Sequence, residues 1–210
     1  SESILEQFDS ALSSNRSGDF AVFQWLVKTA RRCIAMDAFM SERTYAVISR
    51  MRGVEGALLV KNEYQNARDE EYYFVSQREQ WLYALLQCIN AREKIVVCAN
   101  SATEGRALCE ILQRNVRDDD GTRIKFYCAE TSPKIKQRDF MNVDESWTDC
   151  DVLIYTPTLT AGVSFEREHF DRLFGYFTDK SCSAQTCIQM MGRIRNIAQH
   201  QTFICIQAHP

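Results

Sequence analysis

The sequence predicts an α/β domain over residues 76–210, in which helices flank a parallel β-sheet. Short apolar runs recur along this part of the chain, and most of them are continuous rather than alternating, which is the pattern of strands buried on both faces. Segments with apolar residues at helical spacing separate most of these runs. That alternation of strands and helices is typical of a parallel sheet covered by helices.

Five strands and four helices are predicted in this domain. The strands cover 95–99, 124–129, 151–155, 173–177 and 202–206. Two helices begin at capping boxes, Ser76-x-x-Glu79 and Ser101-x-x-Glu104, in which the serine hydroxyl accepts from a backbone N–H and the glutamate reaches back to the cap. The other two helices cover 134–140 and 183–193.

The sequence of residues 1–75 predicts a mostly helical segment that is either the tail of another domain or a helical extension, so the domain boundary is placed between residues 75 and 76. Helices are predicted over 19–30 and 41–51, and Gly53 and Gly56 end the second of them. The apolar runs 58–60 and 72–75 are predicted as two strands joined by a polar loop.

The composition excludes several classes of protein. With 45% hydrophobic and 25% charged residues, a wholly disordered chain is excluded, and no apolar run approaches the ~18 residues of a membrane-spanning helix. The first residues lack the basic and apolar regions of a secretory signal. A net charge of −3 argues against a broad basic coat, although a local cluster of arginine and lysine is sufficient to bind nucleic acid.

The nine cysteines predict free thiols rather than disulfides. Their number is odd, no C-x-x-C pair occurs, and several lie within apolar runs. We therefore expect a reducing, intracellular compartment, either cytoplasm or nucleus. The three histidines are scattered and no second pair of ligands stands at zinc spacing, so no metal site is expected.

Polar side chains follow the predicted strands at the edge where a parallel sheet binds ligands. They include Ser101, Thr131 and the hydroxyl-rich segment 156–164 around Gly162. Such donors suit phosphate oxygens, although serine and threonine at strand ends also cap helices and close turns. For Ser101 the capping box is a sufficient explanation, whereas capping does not require so many donors around Gly162.

A second candidate site lies at the end of the predicted helix 183–193. Gln189 and Arg193 are four residues apart and share one face of that helix, and Gly192 allows the backbone to approach a ligand closely. A guanidinium on that face can bind a phosphate through two parallel hydrogen bonds. The alternative is an amphipathic helix with packed methionines and solvated arginines, and the spacing alone leaves both open.

These residues resemble a known family. Gln-x-x-Gly-Arg at 189–193, preceded by the threonine-rich strand end that reaches Gly162, resembles motifs VI and V of superfamily 2 helicases. Residues 182–196 are similar to the corresponding segment of herpesvirus-type origin-of-replication binding helicases and their relatives in large DNA viruses. Residues 36–39 and 41–44 resemble the motif III region of the same family, so the resemblance covers nearly the whole chain.

The resemblance implies a RecA-like fold, with residues 76–210 as the second RecA-like helicase domain and residues 1–75 as the C-terminal remnant of a first. It implies part of an ATP-dependent DNA helicase or translocase of DNA replication, with ATP and Mg²⁺ as cofactors. Single-stranded or forked DNA, the upstream RecA-like domain and other replication proteins are the implied partners, and no membrane is expected.

The family's site residues carry over onto the matching positions of this chain. Arg193 would be the arginine finger that neutralises charge on the γ-phosphate, with Gln189 beside it. The other implied residues are Gly162, Ser164, Gly192 and Arg195 at the nucleotide, Ser101, Thr131, Thr156 and Lys134 at the nucleic acid, and Asp37 for coupling of hydrolysis to domain motion.

The chain departs from the family's pattern in three respects. Asn196 stands where many of these helicases have a second motif VI arginine, and Arg195 is offset from it by one position; Ser164 stands where an acidic residue is usual. No G-x-x-x-x-G-K-[ST] P-loop and no Asp-Glu pair after an apolar strand occurs, so we expect ATP and Mg²⁺ to be bound mainly by a preceding part of the protein and this chain alone to be inactive. The alternative is a RecA-like module without a P-loop that binds nucleic acid or a partner without catalysis.

Overall fold

The computed structural model describes residues 5, 8, 15–37, 40–53, 58–61, 69–115, 121–158, 163–179 and 181–208. The chain divides into two compact units, Ser1–Gln65 and Asn66–Pro210. The sequence places the boundary after residue 75, whereas the structure includes the strand predicted at 72–75 in the second unit.

Two helices form the described core of the first unit. Helix α1 spans Arg16–Thr29 and helix α2 spans Glu42–Arg52, close to the predicted bounds. The Ser41 hydroxyl accepts a hydrogen bond from the first turn of α2 at 3.2 Å, which satisfies a backbone N–H that has no partner within the helix. The Arg52 guanidinium donates to the Val27 carbonyl at 3.0 Å and so joins the end of α2 to the last turn of α1.

The strand predicted at 58–60 is wrong. Leu58, Leu59 and Val60 are all exposed and none of them is in a strand. A short apolar run does not by itself form a strand, because its backbone groups need a neighbouring strand to pair with.

Six strands form one parallel sheet in the second unit. They are β1 (Glu71–Phe74), β2 (Ile95–Ala99), β3 (Ile124–Tyr127), β4 (Val152–Tyr155), β5 (Arg172–Thr178) and β6 (Gln201–Gln207). Their order across the sheet is β1-β6-β5-β2-β4-β3, and every neighbouring pair is parallel. The predicted parallel sheet is therefore confirmed.

Helices cover both faces of this sheet. They are α3 (Arg78–Asn90), α4 (Ala102–Asn115), α5 (Pro133–Met141), α6 (Val143–Ser146) and α7 (Ala184–Met191). Ile95 and Val97 of β2 pack in one apolar cluster with residues of α3 and α4, and Val96 and Cys98 pack in the other with residues of α7. Because neighbouring side chains of a strand point to opposite faces, only a continuous apolar run fills both clusters. No helix in the described ranges is long and apolar enough to cross a membrane.

The two predicted capping boxes have different outcomes. Helix α3 begins after Gln77, which makes no side-chain cap hydrogen bond, so the box predicted at Ser76 is wrong. Ser101 Oγ does accept from the backbone N–H of Glu104, at 3.5 Å. The Glu104 carboxylate forms an ion pair with Arg78 of α3 at 3.7 Å. The capping-box pattern does not predict this contact between two helices.

Candidate functional site at the carboxyl edge of the sheet

The parallel strands place the ends of β2, β3, β4 and β5 along one edge of the sheet. Asn100 follows β2, Cys128 follows β3 and Thr156 follows β4. Loops at this edge bind ligands in open parallel sheets. The structure therefore brings the predicted residues Ser101, Thr131 and Thr156 to the same edge.

Asn100 holds the ends of β2 and β5 together. Its side chain is 3% exposed; Nδ2 donates to Thr178 O at 2.7 Å, and Oδ1 accepts from Thr178 N at 2.9 Å. The side-chain amide thus continues the β2–β5 ladder where β2 ends. The Asn100 carbonyl accepts from the Ser181 hydroxyl, in the loop that leads to α7. This role was not predicted, because an asparagine after a strand equally indicates a turn.

The segments that resemble motifs V and VI come together in the structure. Phe165 N donates to Arg193 O at 2.8 Å, and Arg195 N donates to Phe165 O at 2.9 Å. Phe165 and Ile194 therefore form a parallel bridge. Beside it, Arg195 Nε donates to Ser164 Oγ at 3.1 Å. We call residues 163–165 and 193–195 the bridged segment.

Arg193 is half-buried in the bridged segment, where its Nη1 donates to Val163 O at 3.0 Å. Helix α7 ends at Met191, earlier than predicted. The predicted shared helix face of Gln189 and Arg193 is therefore wrong, because the backbone after α7 pairs with Phe165 instead of continuing the helix. Gln189 itself is exposed on α7.

The end of strand β4 contacts helix α7 next to Arg193. The fully buried Tyr155 donates its hydroxyl to Met190 O at 2.7 Å. Burial raises the pKa of the Cys98 thiol to about 12, and the contact with the Tyr155 hydroxyl and the charge of Arg193 act in the opposite direction. The same charge opposes the raised pKa of the Tyr155 hydroxyl. The Arg193 guanidinium therefore lies close to the ends of β2 and β4.

Gly192 adopts an ordinary backbone conformation at the end of α7, with φ −68° and ψ 0°. A Cβ atom there would lie 3.5 Å from Ile188 O and 3.8 Å from Gln189 O, which are normal contacts. The fold therefore does not require glycine at this position. The predicted close approach of a ligand to Gly192 stays a prediction, and Gly162 lies outside the described residues.

Thr156 and Thr131 direct their hydroxyls towards the protein. Thr156 is 1% exposed, and its Oγ1 donates to Tyr127 O at 3.4 Å and lies 3.0 Å from Thr158 Oγ1. Thr131 Oγ1 accepts from Cys128 N at 3.0 Å. Thr158 is partly exposed and is a further hydroxyl at this edge to which the motif resemblance assigns no role.

The other predicted residues are more widely spread. Ser101 is partly exposed before α4, and Lys134 is exposed on α5. Asp37 lies between α1 and α2 in the first unit, where it is partly exposed, and residues 38–39 beside it lie outside the described ranges.

One ion pair at this edge was not predicted. Arg106 Nη2 lies 3.0 Å from Glu130 Oε2 and joins the start of α4 to the turn after β3. The two residues are far apart in the sequence, so no local spacing points to their contact.

A cavity of about 300 Å³ lies at the opposite, amino edge of the sheet. Its lining residues precede β2, β3 and β4, and they are Ile89, Arg92, Glu93, Gly121, Thr122, Arg123 and Asp151. None of the predicted site residues lines it. Within the described residues, no group of three or more histidine, cysteine or acidic side chains could hold a metal ion.

The parallel six-stranded sheet with helices on both faces agrees with the predicted RecA-like fold. The structure of S. cerevisiae Dbp5 bound to RNA and ADP BeF3 is similar, with a TM-score of 0.64 over 98% of this chain and 52% of that chain. Sequence identity to Dbp5 is 12%, so this likeness shows the fold alone.

The sequence is similar to helicase/primase complex and replication origin-binding proteins of large DNA viruses. Residues 133–209 match the family model described as origin of replication binding protein. A protein of African swine fever virus named for a helicase/primase complex is 40% identical over 98% of this chain. The replication origin-binding protein of human herpesvirus 7 is 24% identical over 96% of it. The predicted resemblance is confirmed, and the chain spans 18% and 25% of the length of these two relatives.

Proposed function

We propose that the chain supplies the second RecA-like domain of an ATP-dependent DNA helicase or translocase that acts in viral DNA replication. The bridged segment carries this proposal, because it presents Ser164, Arg193 and Arg195 together near the carboxyl edge of the sheet. The names of the two viral relatives support a role in replication. Dbp5, which has the same fold, is bound to RNA and ADP BeF3.

The residues of the bridged segment fit the phosphates of ATP. Guanidinium groups and a hydroxyl donate to anionic oxygens, and Gly192 would let the backbone approach the nucleotide closely. Arg193 would neutralise charge that develops on the γ-phosphate, an effect of about 10³–10⁵ in rate for arginine fingers. Gln189 would orient the nucleotide or the finger. We assign no Mg²⁺ ligand to this chain, and the P-loop would be supplied by the first RecA-like domain, in a preceding part of the protein.

Nucleic acid would run along the carboxyl edge past Ser101, Thr131, Thr156 and Lys134. We propose single-stranded or forked DNA as the substrate, other replication proteins as partners, and Asp37 as a residue that couples hydrolysis to domain motion. A reducing, intracellular compartment is supported by the nine cysteines, all of which are free thiols.

The test uses Arg193→Ala in a protein that joins this chain to a P-loop-bearing RecA-like domain. We expect loss of ATP hydrolysis with unchanged DNA binding, because Arg193 acts on the transferred phosphate and not on the DNA. Arg167→Ala is the matched control, since Arg167 is exposed near the bridged segment. If the Arg193→Ala variant still hydrolyses ATP, Arg193 is not the arginine finger.

The isolated chain gives a second test. We expect it to bind single-stranded DNA and to hydrolyse no ATP. If the isolated chain binds DNA but Arg193→Ala does not change ATP hydrolysis by the joined protein, the chain is instead a binding module without catalysis.

A further inference from the structure

The Glu130 carboxylate occupies a small anion site at the end of β3. It accepts a hydrogen bond from the Cys128 thiol at 3.0 Å and forms an ion pair with Arg106 Nη2 at 3.0 Å. Its own backbone N–H is a third donor. The Cys128 hydrogen bond, the backbone N–H and the charge of Arg106 hold the pKa of Glu130 below its usual range, so the group is an anion at neutral pH.

The turn that carries these donors is well supported. Thr131 Oγ1 accepts from Cys128 N at 3.0 Å, and Thr131 N donates to Cys128 O at 3.2 Å. Lys136 Nζ donates to Ala129 O at 2.9 Å, which adds a positive charge to the same turn. The Cys128 thiol and the backbone N–H of Glu130 are thus held in place by contacts other than the Glu130 side chain.

The anion site lies beside the proposed path of nucleic acid. Gly105, the neighbour of Arg106, packs so closely on the ends of β3 and β4 that a Cβ there would lie 3.0 Å from Phe126 and 3.2 Å from Thr156. Arg106 therefore projects from the first turns of α4 at the edge that holds Thr131 and Thr156.

The ion pair is open to solvent and easily replaced. The side chains of Arg106 and Glu130 are 50% and 62% exposed. Exposed ion pairs of this kind contribute little to stability, and an exposed arginine can exchange one anionic partner for another that offers similar oxygens.

We infer that Glu130 stands in the position of a backbone phosphate of single-stranded nucleic acid, and that Arg106 is a phosphate-binding residue masked by it. The inference rests on the proposed function. When nucleic acid binds, a phosphate oxygen replaces the carboxylate oxygen at Arg106, and Glu130 turns towards solvent. Glu130 then weakens binding both by occupying Arg106 and by repelling the incoming phosphate.

The test measures binding of a fluorescein-labelled oligothymidylate to the full chain by fluorescence anisotropy. Glu130→Gln should tighten binding about threefold at low salt, because the phosphate then neither displaces a charged carboxylate from Arg106 nor is repelled by it, a change comparable to the loss of one exposed ion pair. Arg106→Gln should weaken it by a similar factor and reduce the slope of log K against log salt by about 0.7, the value for one contact to a single strand. In an Arg106→Gln background, Glu130→Gln should have a smaller effect.

A matched pair on the same helix provides the control. Arg114 and Glu110 also form an exposed ion pair, 3.6 Å apart, at the other end of α4. Glu110→Gln changes the net charge as Glu130→Gln does, and Arg114→Gln changes it as Arg106→Gln does. Equal effects of the two glutamate variants would show a general charge effect and overturn the inference, while the proposed function would stand.

Two further outcomes separate the possible sources of phosphate. In the first, inorganic phosphate is added at the concentration of nucleotide phosphates in the assay. If it removes the part of binding that depends on Arg106, the site binds free anions and the nucleic-acid assignment is overturned. Absence of oligonucleotide binding by both the unaltered chain and Glu130→Gln would refute this inference together with the proposed role in DNA binding.

Discussion

Replacement of Asn100 by alanine should destabilise the second unit strongly. The Asn100 amide is buried and bonds both the N–H and the C=O of Thr178, at 2.9 and 2.7 Å. Thr178 is itself 8% exposed. Alanine removes both partners and leaves two backbone groups in a place that water reaches poorly.

The magnitude follows from these two groups. A buried donor or acceptor left without a partner costs about 1–3 kcal/mol, so Asn100→Ala, which leaves two such groups, should lower the free energy of unfolding by about 2–6 kcal/mol. With a urea dependence of about 2 kcal/mol per molar, the midpoint should fall by about 1–3 M. The same substitution should also loosen the loop that Ser181 ties to the Asn100 carbonyl.

Tryptophan fluorescence during urea unfolding can report on the second unit alone. Trp81 and Trp147 are fully buried in that unit, and Trp25 in the first unit is 61% exposed. A Trp25→Phe background therefore removes the signal of the first unit. Asn115→Ala is the control, because Asn115 makes one exposed hydrogen bond to Ile111 O at 2.7 Å. A midpoint for Asn100→Ala within about 0.3 M of the control would refute the reasoning.

Two other changes test the site and its support. Gly192→Ala should leave the urea midpoint unchanged or slightly higher, because the backbone at residue 192 suits alanine and a less flexible unfolded chain stabilises the fold by about 0.4–1 kcal/mol. A lower midpoint would contradict the geometry. The same substitution should reduce ATP hydrolysis in the joined protein. The pKa of Cys98, raised by burial from 9.0 to about 12, predicts stability that is complete below pH 9 and lost as the pH rises towards 12. Between pH 8 and 10, under reducing conditions, the free energy of unfolding should fall by about 1 kcal/mol more for the unaltered chain than for Cys98→Ala, and equal losses would contradict the assignment.

The sheet could be predicted because its strands are buried on both faces. The run at 95–99 has no polar residue, and the structure buries every one of its side chains in β2. The run at 58–60 is equally apolar but exposed. Apolarity alone does not distinguish them, since a strand also needs a neighbour to pair with and helices to cover it.

The candidate site was predictable only in part. The motif resemblance points to Ser164 and Arg193, but the contact between Phe165 and Ile194 joins distant parts of the chain and has no local signal. The same holds for Arg106 and Glu130. Burial of Thr156 was not predicted either, because the position of a strand end within a packed edge is set by tertiary contacts.

The two parts of the candidate site depend on one strand. Tyr155 and Thr156 are consecutive at the end of β4, so their side chains point to opposite faces of the sheet. Tyr155 holds the last turn of α7 through Met190 O, next to the bridged segment. Thr156 lies against Gly105 and so supports the start of α4, from which Arg106 projects. Nucleic acid that displaced the end of β4 beside Thr156 would therefore also displace Met190 and the bridged segment, where we propose that ATP binds.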